Sequence, residues 1–204
     1  MPSDAELLDA WQGGDQRAGR ALFERHFRAI NRFFRNKVGD DAQDLVQRTF
    51  LGCCESAGRY RKDASFRSWL FAIAYKQLCK HYREQVSARE HFDLGQVTAH
   101  DFDSTPTRAL ARRQEERILL EALRRIPVDL QVAIELRYWE QLSEAEIAAT
   151  LDIPLGTLKS RFRRARQLLA EQLDEAQASA PMLLESSVGS LDDWAERLRD
   201  FVLR

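Results

Sequence analysis

Residues 142–169 read LSEAEIAATLDIPLGTLKSRFRRARQLL, and the fold turns on how this stretch is punctuated. Ser143, followed three residues later by Glu146, is a capping box. The hydroxyl and the carboxylate each take a backbone amide that the first helical turn leaves without a partner, so a helix starts here. Ile147, Ala148 and Leu151 give it an inward face. Asp152-Ile153-Pro154 makes the turn, and Pro154 suits the first position of a second helix, where no amide hydrogen is needed. In that helix Leu158, Phe162, Ala165 and Leu169 recur at steps of four, three and four and form one apolar stripe. Thr157, Ser160, Arg161 and Arg164 share the opposite face, flanked by Lys159, Arg163 and Arg166. From Lys159 to Arg166 there are five basic residues and no acid. Two short helices joined by a tight turn, the second with a basic outer face, describe a helix-turn-helix. Arginine forks match guanine edges in the major groove, while lysine and the flanking arginines neutralise phosphates. A basic helical face standing alone is usually just solvated; here capping box, turn and stripe all point to one structure.

Working outward, Ile118, Leu119, Ala122, Leu123 and Ile126 lead up to Pro127, which ends a helix, and another runs from Asp129 to about Glu140. Residues 108–174 thus read as a four-helix unit. After it, residues 176–190 are rich in Ala and Ser and read as a linker. Leu191, Trp194, Leu198 and Phe201 mark one face of a short terminal helix, so residues 175–204 form a helical extension. Upstream, the helical pattern fails over residues 89–107, which carry Gly95, Pro106 and the acids Glu90, Asp93, Asp101 and Asp103. This is expected to be a flexible linker.

Residues 1–88 carry helical periodicity again. Leu7, Leu8 and Trp11 open it, and Leu22, Phe23, Phe27, Ile30 and Phe34 continue it beyond a break at Gly13-Gly14-Asp15. Asp40 or Asp41 is expected to cap a helix running to about Ser56. Ser65 is expected to cap another from Phe66 to about Arg89, with Phe66, Leu70, Ile73 and Leu78 inward. Nothing alternates like a strand and no repeats are visible. The expected fold is all-α: two small helical domains, a flexible linker, and a short C-terminal helical extension.

The bulk numbers bound the function. The 204 residues have a formal net charge of -1, so any nucleic-acid binding rests on local clusters and not on a global basic field. Three cysteines, with Cys53 and Cys54 adjacent, make a poor disulfide framework and fit a reducing compartment. No apolar run approaches the roughly 18 residues of a membrane helix, and Glu6 and Asp9 interrupt the start of the chain. A cytoplasmic protein without membrane insertion is expected. Cys79 and His81 do not have the spacing of usual metal pairs, and no nucleophile triad or phosphate loop is present. No metal, cofactor or catalytic residue is assigned, and the protein is not expected to be an enzyme.

The run from Arg137 through Arg166, above all Ile153 to Arg166, resembles the promoter -35 binding domain of the sigma-70 factors. Upstream, DAQDLVQRTFLGCCESAGRYR at residues 41–61 resembles that family's polymerase-binding helix, and FRSWLFAIAYKQLCKHYRE at residues 66–84 resembles its promoter -10 helix. Two motifs in the right order cover roughly residues 5–173. The short linker resembles the extracytoplasmic-function (ECF) group. The resemblance implies that residues 1–88 bind core RNA polymerase and the -10 element, and that residues 108–174 bind the -35 element. Asp41, Asp44, Leu45, Gln47 and Phe50 would dock on the clamp helices of the beta-prime subunit. The beta flap and promoter DNA are the other expected partners, with an anti-sigma factor a further candidate.

For the -35 element the implied residues are Arg137, Thr157, Lys159, Ser160, Arg161 and Arg164. For the -10 element they are Arg59, Tyr60, Arg61, Lys62, Phe66, Lys76, Lys80 and Arg83. Their chemistry fits: residues 59–62 form a basic aromatic loop able to hold a flipped base, and Lys76, Lys80 and Arg83 recur on one face suited to strand phosphates. Phe66, Trp69 and Tyr75 have the chemistry to stack on bases, although aromatics at this spacing more often belong to a core. Lys76 stands where the family usually has Asn, Lys80 where Asp is frequent, and Asp152 where Gly is usual; Asp tolerates the left-handed backbone such a turn requires. From Asp174 onward seven acids face three arginines, so the extension is expected either to cover a basic DNA-binding face or to pack as an ordinary helix. A stand-alone operator-binding regulator would share the helix-turn-helix without needing the upstream motif.

Overall fold

The computed structural model describes residues 1–60, 63–85, 93–100 and 114–179, with side chains described for 1–60, 63–85, 93–100 and 120–175. The first unit contains α1 (Asp4–Gln12), α2 (Gln16–Val38), α3 (Ala42–Ser56) and α4 (Phe66–Gln85). The second contains α5 (Gln114–Arg125), α6 (Val128–Tyr138), α7 (Glu144–Leu151) and α8 (Leu155–Ser179). Among the described residues there is no strand, only an isolated antiparallel bridge between Thr98 and Pro127. The fold is all-α in two helical domains.

Local chemistry sets the helix starts. Ser3 and Glu6 form a capping box on α1, and Asp15 caps α2 by accepting from the amides of Arg17 and Ala18. Ser65 accepts from the Ser68 amide at 3.2 Å at the start of α4. Asp41 differs from expectation. It occupies the N-cap position of α3 but its side chain caps nothing, because a 3-10 turn over Gly39–Asp41 feeds directly into the helix. The first core joins Leu22, Ile30 and Phe34 of α2 to Leu45 of α3 and Leu70, Phe71, Leu78 and Tyr82 of α4, all buried. Gly19 lets α1 approach α2: a methyl group there would sit 2.6 Å from the Trp11 ring.

In the second unit α6 is buried from Val128 to Leu136, because α8, α7 and α5 pack around it and the first unit closes the remaining side. Part of the expected flexible linker is instead structured. Residues 94–96 form a 3-10 turn, Leu94, Val97 and Ala99 are buried, and the Val128 amide donates to the Val97 carbonyl at 2.8 Å. Gly95 and the acids dominate the composition of this stretch, and its scattered apolar residues follow no helical or strand period. Helix α8 runs on to Ser179, through the start of the expected second linker; Ala, Gln and Glu are good helix formers. The terminal helix expected at residues 191–204 lies outside the described residues. Among the described residues no helix is long and apolar enough to cross a membrane.

Candidate nucleic-acid and partner interfaces

The helix-turn-helix is built as its punctuation implies. Ser143 and Glu146 cap α7 reciprocally, Asp152 ends it in the left-handed region at φ 55 and ψ 49, and Leu155 opens α8. Leu158, Phe162, Ala165 and Leu169 are buried on the inner face. Thr157, Lys159, Ser160, Arg163, Arg164 and Arg166 are exposed along the outer face. Arg161 is not among them. Its side chain is 21 % exposed, and its Nε pairs with Asp129 Oδ2 on α6 at 3.1 Å. It also reaches the Tyr75 hydroxyl on α4. Burial raises the Asp129 carboxyl above its ordinary value, and Arg161 opposes the shift. Arg161 therefore ties the recognition helix to its scaffold and does not join the outer face expected for it. Arg163, on the exposed face, joins the candidate base and phosphate contacts. Arg137 is exposed at the end of α6, where it donates to the Leu142 carbonyl.

On α4, Lys76, Lys80 and Arg83 are exposed along one face, as their spacing implies. Phe66 is not available to a base: it is buried against Trp69 and His26. Tyr60 stacks on Trp69 with ring centroids 4.5 Å apart, and its hydroxyl is held by the Ala64 carbonyl. These two rings line an open recess of about 300 Å³ with Arg59 and Ala72, and Ala149 and Thr150 of α7 form its other wall. Arg61 and Lys62 lie outside the described residues.

Asp41, just before α3, and Asp44 and Gln47 on it are exposed, and Arg48 pairs with Asp44 at 2.8 Å. Leu45 corrects its assignment. It is 1 % exposed, so it positions the helix and cannot itself meet a partner. The apolar contribution comes from Phe50, as expected, and from Phe27 and Leu51, which the sequence reading did not assign to this surface. Phe27 is 50 % and Leu51 57 % exposed, and Phe27 stacks on half-buried Phe50. Phe27, Phe50, Phe23, Trp11 and Cys54 line an apolar groove of about 450 Å³. The signal was present: Phe23 and Phe27 widen the apolar stripe of α2 beyond what one core contact needs.

The two units meet through charge. The Lys37 ammonium, 0 % exposed, pairs with Glu135, 2 % exposed. Glu135 also accepts from Asn36 and Gln131, both at 2.9 Å. Burial lowers the Lys37 pKa, with Glu135 acting against it. Glu140 takes Arg32 at 2.6 Å on one oxygen and Arg67 on the other. None of these junction residues was singled out in the sequence.

Known proteins share both halves. Residues 22–88 match the sigma-70 region 2 family and residues 116–169 match sigma-70 region 4. The ECF RNA polymerase sigma-E factor of Haemophilus influenzae is 31% identical over 183 residues, 84% of this chain and 95% of that protein. The RNA polymerase sigma-H factor of Pseudomonas aeruginosa is 31% identical over 181 residues, 83% and 93% of the two chains. Among solved structures, CnrH in complex with the cytosolic domain of CnrY is similar in fold, with a TM-score of 0.63 and 24% identity over 85% of this chain and 99% of that one. The sigma factor RpoE of Bartonella quintana, solved with the anti-sigma factor NepR, has a TM-score of 0.55 at 24% identity, covering 76% and 96%. With both region families matched in order and relatives of nearly full length, the chain belongs to the extracytoplasmic-function group of the sigma-70 family, the factors that direct RNA polymerase to specific promoters.

Proposed function

We propose that this sigma factor divides its contacts among three surfaces. Thr157, Lys159, Ser160, Arg163 and Arg164, with Arg137 nearby, read and grip the -35 element. Lys76, Lys80 and Arg83, with Arg59, the Tyr60–Trp69 stack and its recess, hold the opened -10 strand; Arg61 and Lys62 extend this surface in sequence. Asp41, Asp44, Gln47 and Phe50, joined by Arg48, Leu51 and Phe27, dock on the beta-prime clamp helices, and the second unit meets the beta flap. Residues 1–88 and 108–174 are the two working domains, 89–107 the connection, and 175–204 an extension with a regulatory role. The protein acts in the cytoplasm and does no bond chemistry itself, which belongs to the polymerase.

The observation that carries this reading is the pairing, in one chain, of an exposed basic outer face on a capped helix-turn-helix with a second basic face on α4 beside an aromatic recess. Because solved structural neighbours are complexes with the cytosolic domain of CnrY and with the anti-sigma factor NepR, an anti-sigma factor is a further partner of this chain. The test is run-off transcription by core polymerase on pooled genomic fragments, with and without the protein. Start sites that appear only with the protein are expected, and their alignment gives both promoter elements. Initiation unaltered by the protein would overturn the assignment of these surfaces.

A further inference from the structure

The junction between the two units joins unlike surfaces: the second unit brings carboxylates, and the first meets them with guanidiniums and hydroxyls at the start of its -10 helix. Glu140 places Oε1 on Arg32 Nη2 at 2.6 Å and Oε2 on Arg67 Nη2, with its side chain 3 % exposed. Two guanidiniums, Arg32 largely buried and Arg67 partly exposed, share one buried carboxylate, which leaves an excess positive charge at the junction. Each guanidinium also keeps a buried Nε with no acceptor among the described residues. An arginine fork is designed to grip two oxygens side by side. Splitting a single carboxylate between two forks gives each only its tip.

Beside this pair, Glu146 Oε1 accepts from the hydroxyls of Ser65 at 3.1 Å and Ser68 at 3.2 Å. Its other oxygen is committed to the capping box of α7. Ser65 stands at the N-terminus of α4, a 20-residue helix whose positive dipole end favours an anion. Thr150 then donates to the Ser68 carbonyl at 3.4 Å, and with Ala149 it walls the Tyr60–Trp69 recess. One rigid piece of the second unit thus supplies both the anions and the cover of the recess.

We propose that Arg32, Arg67, Ser65 and Ser68 form an anion cradle for backbone phosphates of the -10 strand, and that Glu140 and Glu146 occupy this cradle in place of DNA while the two domains are closed. The proposal rests on the reading that α4 faces the -10 strand. Its chemistry is that of phosphate recognition: two forks with unfilled donors, two hydroxyls and a helix N-terminus, all within reach of an aromatic recess suited to a base. Exchange of a carboxylate for a phosphodiester conserves charge and donor geometry. Domain opening, phosphate capture and base entry are then one event, since the same segment blocks all three.

The test uses holoenzyme assembled from core polymerase and full-length variants, bound to a pre-melted promoter fragment over a range of salt. R67Q is expected to weaken binding several-fold and to make the slope of log K against log salt shallower by about 0.7 for the lost single-strand phosphate contact. R32Q/R67Q should double that change in slope, with core binding unaltered. In the free chain, E140Q is expected to raise affinity for a short oligothymidylate, and the gain should vanish in R32Q/R67Q/E140Q. R67Q changes a partly exposed side chain, so it keeps the test open if the double variant folds poorly. An unchanged salt slope for R67Q overturns the cradle, as does an E140Q gain that survives loss of both arginines. K80Q/R83Q is measured alongside. If it weakens binding while R67Q does not, the cradle fails and the -10 reading of α4 stands; if neither does, both fall.

Discussion

Arg161 and Arg164 lie one helical turn apart on α8 and take opposite roles. Arg164 is exposed, with Gln167 at 3.2 Å as its neighbour on the same helix, and nothing anchors it to the scaffold in the described contacts. R164A is expected to cost about 1–3 kcal/mol at one -35 base pair and to relax preference there, measured by binding to a panel of single-base promoter variants. R161A should instead strand the buried Asp129 carboxyl and lower folding stability, with an equal loss on all promoter sequences. A base-specific loss from R161A would return it to the reading face. The helical wheel placed both residues outward because it counts angle along one helix; the direction of Arg161 is set by Asp129 on another. His26 carries a third expectation. Burial holds its pKa below the ordinary value, outweighing Asp4 at 2.7 Å, so the folded ring is neutral at pH 7 and shares a neutral donor with the carboxylate. The unfolded chain takes up a proton near pH 6.5 that the folded chain resists, so the stability His26 brings is present above that pH and lost as pH falls through it. The urea midpoint should drop between pH 7.5 and 5.5, and H26Q should flatten that drop; a midpoint that rises would mean the folded site prefers the imidazolium.

At the scale of elements, helix starts were the most legible feature because their chemistry is local. Ser143-x-x-Glu146 and Ser65 each act on amides three residues away, and both caps form as read. Asp41 misled because two acids after Gly39 also suit a 3-10 turn, which is where they went. The packing of residues 94–99 against α6 was not legible, since its partner, Val128, belongs to a later helix. The turn between α7 and α8 gives a sharp test. Asp152 holds φ 55 without help from glycine. D152G should leave the thermal midpoint unchanged or raise it by up to about 1 kcal/mol of stability, whereas D152V, with a branched side chain in the left-handed region, should lower it by at least about 1–2 kcal/mol. G19A tests the docking of α1. A methyl group there meets Trp11 at 2.6 Å and must displace the ring, so a loss of about 1–3 kcal/mol is expected in chemical unfolding, together with weaker binding to core polymerase if the Trp11 groove is part of that interface.

At the scale of the whole molecule, the two domains are held by charge as well as by apolar contact. The decisive pair, Lys37 and Glu135, is 98 residues apart in sequence, and nothing in a local pattern announces it. Read along its own helix, Lys37 is an ordinary basic residue near a C-terminus, and Glu135 is an acid interrupting the apolar run of α6. Together they satisfy each other, with Phe33 O, Asn36 and Gln131 taking the remaining donors and acceptors. Such a pair contributes little net stability when intact, because desolvation of both ions offsets their attraction. Removing one partner is different: the survivor is left charged in a dry junction, at a cost of about 3–5 kcal/mol. Here the chain has a way to avoid that cost, since separating the domains returns the lone ion to water without unfolding either helical unit. E135A is therefore expected to open the protein and not to denature it. Small-angle scattering should show a radius of gyration above the roughly 17 Å of a compact chain of this length, while helical content persists. K37M/E135L, which replaces the pair with apolar groups of similar size, should stay closed. Polymerase supplies the functional readout. If closure must be undone before the -10 and -35 surfaces can be spread along a promoter, E135A should initiate transcription at lower protein concentration than wild type, and K37M/E135L at higher. Equal activity from all three, with the expected change in shape, would mean that polymerase pays no energetic penalty to open the junction and that the buried pair governs only the free protein.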